Sequence, residues 1–215
     1  MLKVVYRFLI HKYLKITSFV LYGFVLLLSI IIFEDISIIS NYEKLKMYYN
    51  NCFQYVLILN IVLGIFVCGH LNLKETDDYK KIVINTNKLT YVFCKTIILV
   101  AYETFNLLIE FIIVTLIGYL YTKMVAKEIV LIFINLLIGC LFYSLISGIF
   151  VLIFDVFNYI YLSIGLFIIS FTNALKYVIV SYNSVNLECS VSYYMFLLLI
   201  CYIVYIIIFM YKEIA

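Results

Sequence analysis

Two glutamates, Glu103 and Glu110, lie inside a long apolar stretch and are the side chains best placed to do chemistry. They are seven residues apart, so a helix brings them near one face. A carboxylate in hydrocarbon costs at least about 2.5 kcal/mol, so such a group faces protein, water or a cavity. The pair predicts a polar stripe on a transport path or proton relay. The alternative is structural: Glu103 lies near the membrane interface, and Glu110 pairs with a group such as Asn106 or Asn135.

Enzyme chemistry finds little support in the sequence. It contains no zinc-protease motif, no serine-hydrolase elbow and no phosphate-binding loop. A Cys/His membrane peptidase would need His70 beside Cys68 or Cys94. Residues two apart do not face each other on a helix, and Cys94 lies beyond a charged segment. We therefore expect no catalytic residue, no metal site and no cofactor bound by this chain.

The apolar runs that carry these residues are long enough to cross a membrane. The chain is 67% hydrophobic and 13% charged, whereas a soluble domain has about 25% charged residues. A helix of about 20 apolar residues crosses the bilayer. We predict an all-α polytopic membrane protein, with residues 1–215 as a single transmembrane domain. The six predicted spans cover residues 16–33, 51–71, 91–121, 128–154, 159–175 and 193–211.

The connections between the spans are predicted to be polar. Residues 34–50 contain several charged side chains and predict a polar connection between the first two spans. Residues 176–192 predict a mixed connection between the last two. The third apolar run is too long for one perpendicular crossing, so its helix should be tilted or should leave the membrane at its start.

The first 15 residues predict a basic amphipathic helix. Lys3, Arg7 and His11 recur every four residues, so a helix gathers them on one face, while apolar side chains occupy the other. Such a helix lies in the membrane interface, where anionic headgroups attract it.

A stripe of small residues marks the fourth span. Cys140, Ser144 and Gly148 are spaced by four, and such a pattern lets another helix approach closely. The stripe predicts helix packing, either within the chain or between subunits.

The most densely charged segment, residues 72–90, separates the second and third spans. It cannot lie in hydrocarbon, so it projects from one membrane face. Pairs such as Asp77 with Lys80 and Lys81 are spaced to stabilise a surface helix, or to hold a solvated loop. Residues 72–90 are therefore expected to contact whatever lies at that face.

Basic residues predict which face this is, because Lys and Arg in short loops mark the cytoplasmic side. With both termini in the cytoplasm, ten of the 15 Lys and Arg residues lie inside and five outside. We therefore predict cytoplasmic termini and a cytoplasmic 72–90 segment. The five outside residues are Lys44, Lys46, Lys123, Lys127 and Lys176.

Taken together, these features resemble the permease subunits of ABC-2 type transporters. The shared architecture is a basic N-terminal helix, six spans with both ends inside, and a charged helical loop between spans two and three. The local pattern is similar as well: Gly64 and Gly69 precede the stretch LKETDDYKKIVINTNKLTYVFCK, which ends at Lys95. The resemblance covers essentially the whole chain.

The resemblance implies a coupling role for the charged segment. It would dock on a separate ATPase subunit that binds ATP and Mg²⁺, while a second permease subunit, identical or similar, completes the transporter. The expected setting is the plasma membrane of a bacterial cell, and the expected cargo is an exported peptide, antimicrobial or other amphipathic molecule. The implied docking residues are Glu75, Asp77, Asp78, Tyr79, Lys80 and Lys81.

Two other functions are compatible with the sequence. The chain could be a non-transporting immunity or assembly protein that binds a partner within the bilayer, or the Cys/His peptidase considered above. Nucleic-acid binding is not expected, because the basic residues flank membrane spans, where anionic lipid accounts for them.

Overall fold

The computed structural model of the chain describes residues 12–36, 41–73, 87–125, 129–154, 158–170 and 191–211. Within these ranges the protein is all-α, as predicted, and contains six helices. In chain order they are α1 Lys12–Asp35, α2 Asn41–Leu73, α3 Lys88–Thr122, α4 Ile129–Ile153, α5 Asn158–Ser170 and α6 Val191–Tyr211.

Five of these helices, α1 to α4 and α6, are long and apolar enough to cross a membrane. A helix satisfies its backbone hydrogen bonds internally, which is the condition for lying in hydrocarbon. The five helices suggest a multi-pass membrane protein, in agreement with the composition. Helix α5 has 13 residues, and the rest of the fifth predicted span, 171–175, lies outside the described residues.

Helix α2 begins well before the predicted second span, so the expectation of a polar connection over 34–50 is wrong for its second half. The first turns of α2 are amphipathic. Leu45 and Tyr48 are almost fully buried, with 1% and 0% of their surfaces exposed, whereas Glu43 and Lys46 are exposed. The charged side chains therefore line one face of a helix whose other face packs into the bundle.

Helix α3 is bounded by two local caps. Asn87 precedes it in an extended conformation, and its side-chain oxygen accepts a hydrogen bond of 3.1 Å from the backbone N–H of Leu89. At the other end, Lys123 adopts a left-handed conformation with φ 57°, and its N–H donates to the carbonyl of Tyr119. The 35 residues of α3 extend about 52 Å, compared with about 30 Å for the hydrocarbon core.

Side-chain contacts show that α2 and α4 run antiparallel to α3. Gly64 of α2 lies beside Glu103, whereas Tyr49, earlier in α2, lies beside Gly118. The hydroxyl of Tyr48 also donates to the carbonyl of Val114, at 3.0 Å. Helix α4 is also antiparallel to α3. Its Phe133 ring lies 5.0 Å from the ring of Phe111, whereas Ser144, later in α4, contacts Glu103, which is earlier in α3.

Helix α1 runs parallel to α3, and α6 runs antiparallel to it. Ser18 and Phe33 of α1 contact Tyr102 and Tyr121 in the same order along α3. In α6 the order is reversed. There, the ring of Tyr202 lies 6.3 Å from that of Phe93, and the carbonyl of Met210 accepts a hydrogen bond of 2.8 Å from the ammonium of Lys88.

These directions bring several helix ends together. The start of α1, the end of α2, the start of α3 and the end of α6 all lie at one end of the bundle, which we call the loop end. The charged segment joins α2 to α3 at this end. The described residues nearest to the two termini, Lys12 and Tyr211, therefore lie at the same end as that segment.

The buried start of α2 can be tested with two substitutions. Leu45→Ala should lower the free energy of unfolding by about 2–5 kcal/mol, because it removes a fully packed side chain. Met47→Ala is the matched control, since Met47 is 48% exposed in the same helix. Thermal unfolding of the purified protein in detergent measures both. Equal effects would contradict the burial of this face.

Candidate functional site

Glu103 and Glu110 lie two turns apart on α3 and are buried, with 4% and 0% of their surfaces exposed. They belong to a group of polar side chains in the interior of α1 to α4, which we call the polar cluster. Polar groups inside an apolar bundle need hydrogen-bond partners, and these come from neighbouring helices. The polar cluster consists of Ser18, Tyr22, Asn60, Tyr102, Glu103, Asn106, Glu110 and Ser144.

Glu103 is held by α4 and packed closely by α2. The Ser144 hydroxyl donates to Glu103 Oε1 at 2.6 Å. Gly64 lies against both groups: a Cβ atom there would be 2.8 Å from Glu103 Oε1 and would collide with Ser144 Oγ. The missing side chain at Gly64 is therefore what lets α2 approach the buried carboxyl group.

Glu110 is held by α2. The Asn60 amide donates to Glu110 Oε2 and also to the carbonyl of Val56 in its own helix, at 2.9 Å. Glu110 Oε1 has no hydrogen-bond partner in the part of the chain that the structure describes. The structural alternative paired Glu110 with a polar group such as Asn106 or Asn135; the polar group it pairs with is Asn60, and neither of those two asparagines contacts it through a described hydrogen bond. Asn106 instead binds Tyr22, and both amide atoms of Asn135 lack a partner among the described residues.

Two polar contacts join α1 to α3. The Tyr22 hydroxyl donates to Asn106 Oδ1. One turn away, the hydroxyls of Ser18 and Tyr102 share a hydrogen bond of 2.8 Å. The spacing of four residues is the same on both helices, which is why two contacts form along a parallel pair.

The hydrogen-bond partners of the two carboxyl groups are neutral. Ser144 donates a hydrogen bond to Glu103, and Asn60 donates one to Glu110. Within the described ranges neither carboxyl group forms an ion pair. The same ranges contain no group of three or more His, Cys, Asp or Glu side chains that could hold a metal ion. What the arrangement offers is a set of hydrogen bonds that joins four helices around two carboxyl groups.

The stripe of small residues lies in the interior of the chain. Cys140 and Ser144 are 1% and 0% exposed, and Gly148 is buried as well. Ser144 faces Gly64 and Glu103, so this part of the stripe packs against α2 and α3 of the same chain. Helix α4 makes its most extensive contact with α2.

Several predicted features lie outside the described residues. They include residues 1–11 of the predicted interfacial helix and most of the connection over 176–192. The side chains of Cys68 and His70 are also outside, whereas Cys94 is a buried free thiol in an apolar cluster with Phe209. The predicted docking residues also lie outside: Glu75, Asp77, Asp78, Tyr79, Lys80 and Lys81.

Four members of the polar cluster, Ser18, Tyr22, Asn60 and Tyr102, were not predicted from the sequence, nor was the contact of Gly64 with it. Asn60 carried a signal, because an amide isolated within a predicted span needs a partner in a neighbouring helix. The sequence offers no such signal for Tyr22, because the chain contains 22 tyrosines and nothing distinguishes this one from the others. Gly64 entered only as part of the resemblance, and its contact with Glu103 depends on how α2 and α3 pack.

Comparison with known proteins gives no further guidance, since no protein-family model, curated protein or solved structure matches this chain. The resemblance to ABC-2 permeases thus rests on architecture and on the local pattern around the charged segment.

Close packing at Gly64 yields one prediction. Gly64→Ala should destabilise the protein by about 1–3 kcal/mol, because the new methyl group overpacks the interface. Gly23→Ala in α1, where nothing lies within 4 Å, should be neutral or stabilise by up to about 1 kcal/mol. Ser144→Ala, which leaves Glu103 without its hydrogen bond, should cost less in the Gly64→Ala background than in the wild type, because there it also removes the colliding hydroxyl. Strictly additive effects in thermal unfolding would contradict the contact.

The Asn60–Glu110 contact yields a second prediction. Asn60→Leu and Glu110→Leu should each destabilise by about 1–3 kcal/mol, since each leaves a buried polar partner unsatisfied. The Asn60→Leu/Glu110→Leu double variant should lie close to the wild type, because both polar groups are then gone. A double-mutant cycle of unfolding free energies measures the coupling. A coupling energy of zero would show that the two side chains do not interact.

Proposed function

We propose that this chain is the membrane-spanning permease subunit of an ATP-driven ABC exporter. Its charged segment, residues 72–90, would contact a separate ATPase subunit. The observation that supports this proposal is the arrangement of the loop end. There the segment joins the end of α2 to the start of α3, and Lys88 at the start of α3 donates a hydrogen bond to the carbonyl of Met210 near the end of α6, so a partner at that face would act on all three helices.

The register of α2 against α3 fixes how the segment is attached. Gly64 lies beside Glu103, so Leu73, at the end of α2, is level with Cys94 of the antiparallel helix. Helix α3 begins at Lys88, six residues earlier, and therefore extends about 9 Å beyond α2. The charged segment therefore follows the end of α2 beside this projecting part of α3, and it leads into the first residue of α3.

Interhelical contacts offer a route from the segment into the bundle. Lys88 is bonded to the carbonyl of Met210, which ties the start of α3 to the end of α6. Further along α3, the polar cluster joins it to α1, α2 and α4. A displacement applied at the loop end would thus be passed to several spans through hydrogen bonds that are costly to break in an apolar interior.

The remaining parts of the proposal follow from the resemblance. ATP and Mg²⁺ would bind to the partner ATPase, and a second permease subunit, the same chain or a similar one, would complete the transporter. The termini and the charged segment would face the cytoplasm, and the cargo would be a peptide, antimicrobial or other amphipathic molecule. Apart from the resemblance, the hydrogen bonds of Glu103 and Glu110 with α4 and α2 would link these helices as they move.

Docking can be tested by reversing charge at the segment. Asp77→Lys/Asp78→Lys should lower recovery of the ATPase with the tagged chain, purified in mild detergent, by about tenfold, equivalent to about 1.4 kcal/mol. The matched control is Glu34→Lys/Asp35→Lys, which reverses two adjacent, exposed carboxylates at the other end of the bundle. The control should leave recovery unchanged.

Two results would count against the proposal. The first is purification of the wild-type chain without any soluble ATPase, which would favour the immunity or assembly role within the bilayer. The second is an equal loss of partner in both charge-reversed variants, which would show that the loop end has no special part in docking.

A further inference from the structure

An open apolar groove runs along the bundle between α3, α4 and α6. Its volume is about 540 Å³. Thr96 and Ala101 line it from α3, Leu145 from α4, and Met195 and Tyr202 from α6. Apart from the hydroxyls of Thr96 and Tyr202 and the sulfur of Met195, the side chains that line it are hydrocarbon. All these residues belong to helices long and apolar enough to cross a membrane, and an apolar groove on such helices suits a lipid chain.

The groove leads towards two positive charges at the loop end. The α6 face that carries Met195 and Tyr202 continues to Phe209, seven residues further on, which is two helical turns. The ammonium groups of Lys88 and Lys95 lie 5.9 and 5.5 Å from the centre of the Phe209 ring. Lys95 is almost fully buried, whereas Lys88 is only partly buried and reaches the edge of the bundle.

We propose that this groove and the adjoining lysines form a binding site for one anionic phospholipid. An acyl chain lies in the groove, and the phosphate group lies beside Lys88, with Lys95 adding positive charge behind it. The site binds phosphatidylglycerol more tightly than phosphatidylcholine. This inference does not depend on the proposed transport function.

An acyl chain whose headgroup lies beside the lysines is long enough to reach the groove. One acyl chain spans half of the hydrocarbon core, about 15 Å. At 1.5 Å per residue, Tyr202 lies about 10 Å and Met195 about 21 Å from Phe209 along α6. A headgroup at the level of Phe209 therefore places about the last 5 Å of its chain, the end near the bilayer midplane, in the part of the groove beyond Tyr202.

The charges account for the preference between lipids. A lysine near the membrane surface strengthens binding of an anionic headgroup by about fivefold. Lys88 is the closer of the two to solvent and should supply most of this effect. The groove itself contacts only the acyl chain, so it should not distinguish phosphatidylglycerol from phosphatidylcholine.

Native mass spectrometry of the detergent-purified full chain, titrated with each lipid, tests the site. The wild type should bind phosphatidylglycerol at least about fivefold more tightly than phosphatidylcholine. Lys88→Gln should remove most of this preference. Lys123→Asn is the matched control, since it removes an exposed lysine at the opposite end of α3 and should leave the preference intact.

Filling the groove provides the second arm of the experiment. Ala101→Phe places a ring in the groove and should weaken binding of both lipids equally. Because Ala101 is exposed, the variant should fold, which circular dichroism verifies. The site is refuted if Lys88→Gln and Lys123→Asn change the preference alike, or if Ala101→Phe binds both lipids as the wild type does.

Discussion

The packing of this bundle depends on the need of two buried carboxyl groups for hydrogen-bond partners. In an apolar interior neither group can form hydrogen bonds with bulk water, so each needs a donor from a neighbouring helix. Glu103 accepts a hydrogen bond from the hydroxyl of Ser144 in α4, and Glu110 accepts one from the amide of Asn60 in α2. These two contacts fix the position of α3 against both neighbours at once. Gly64 makes the first contact possible, because a side chain there would collide with Ser144 and crowd Glu103.

From this centre the rest of the architecture follows. With α2 and α4 antiparallel to α3, and α1 parallel to it, the charged segment emerges where α6 also ends. Lys88 then bonds to Met210 and holds α3 and α6 together at that end. The same junction brings Lys95 and Phe209 next to the groove, so one set of contacts underlies both the proposed docking end and the proposed lipid site.

Much of the fold could be read from the apolar runs. Their length identified helices that could cross a membrane. Glu103 and Glu110 were expected to face protein, water or a cavity, and both are buried in the bundle. The partner of Glu110 could not be read in this way, because Asn60 is 50 residues distant and Asn106 and Asn135 were equally reasonable. The start of α2 was also missed. Its charged residues are typical of a polar connection, and only the packing of Leu45 and Tyr48 inside the bundle shows that they belong to a helix.

The sequence by itself determined that the chain is apolar and helical and that its charge is concentrated between the second and third spans, because hydropathy and charge are properties of the residues alone. Only the tertiary structure decided which polar groups meet, where α2 begins to pack and which helix ends share the loop end. Those outcomes depend on the register and direction of helices that are distant in sequence. Here that register is set by a few contacts, chiefly those of Gly64, Glu103 and Glu110.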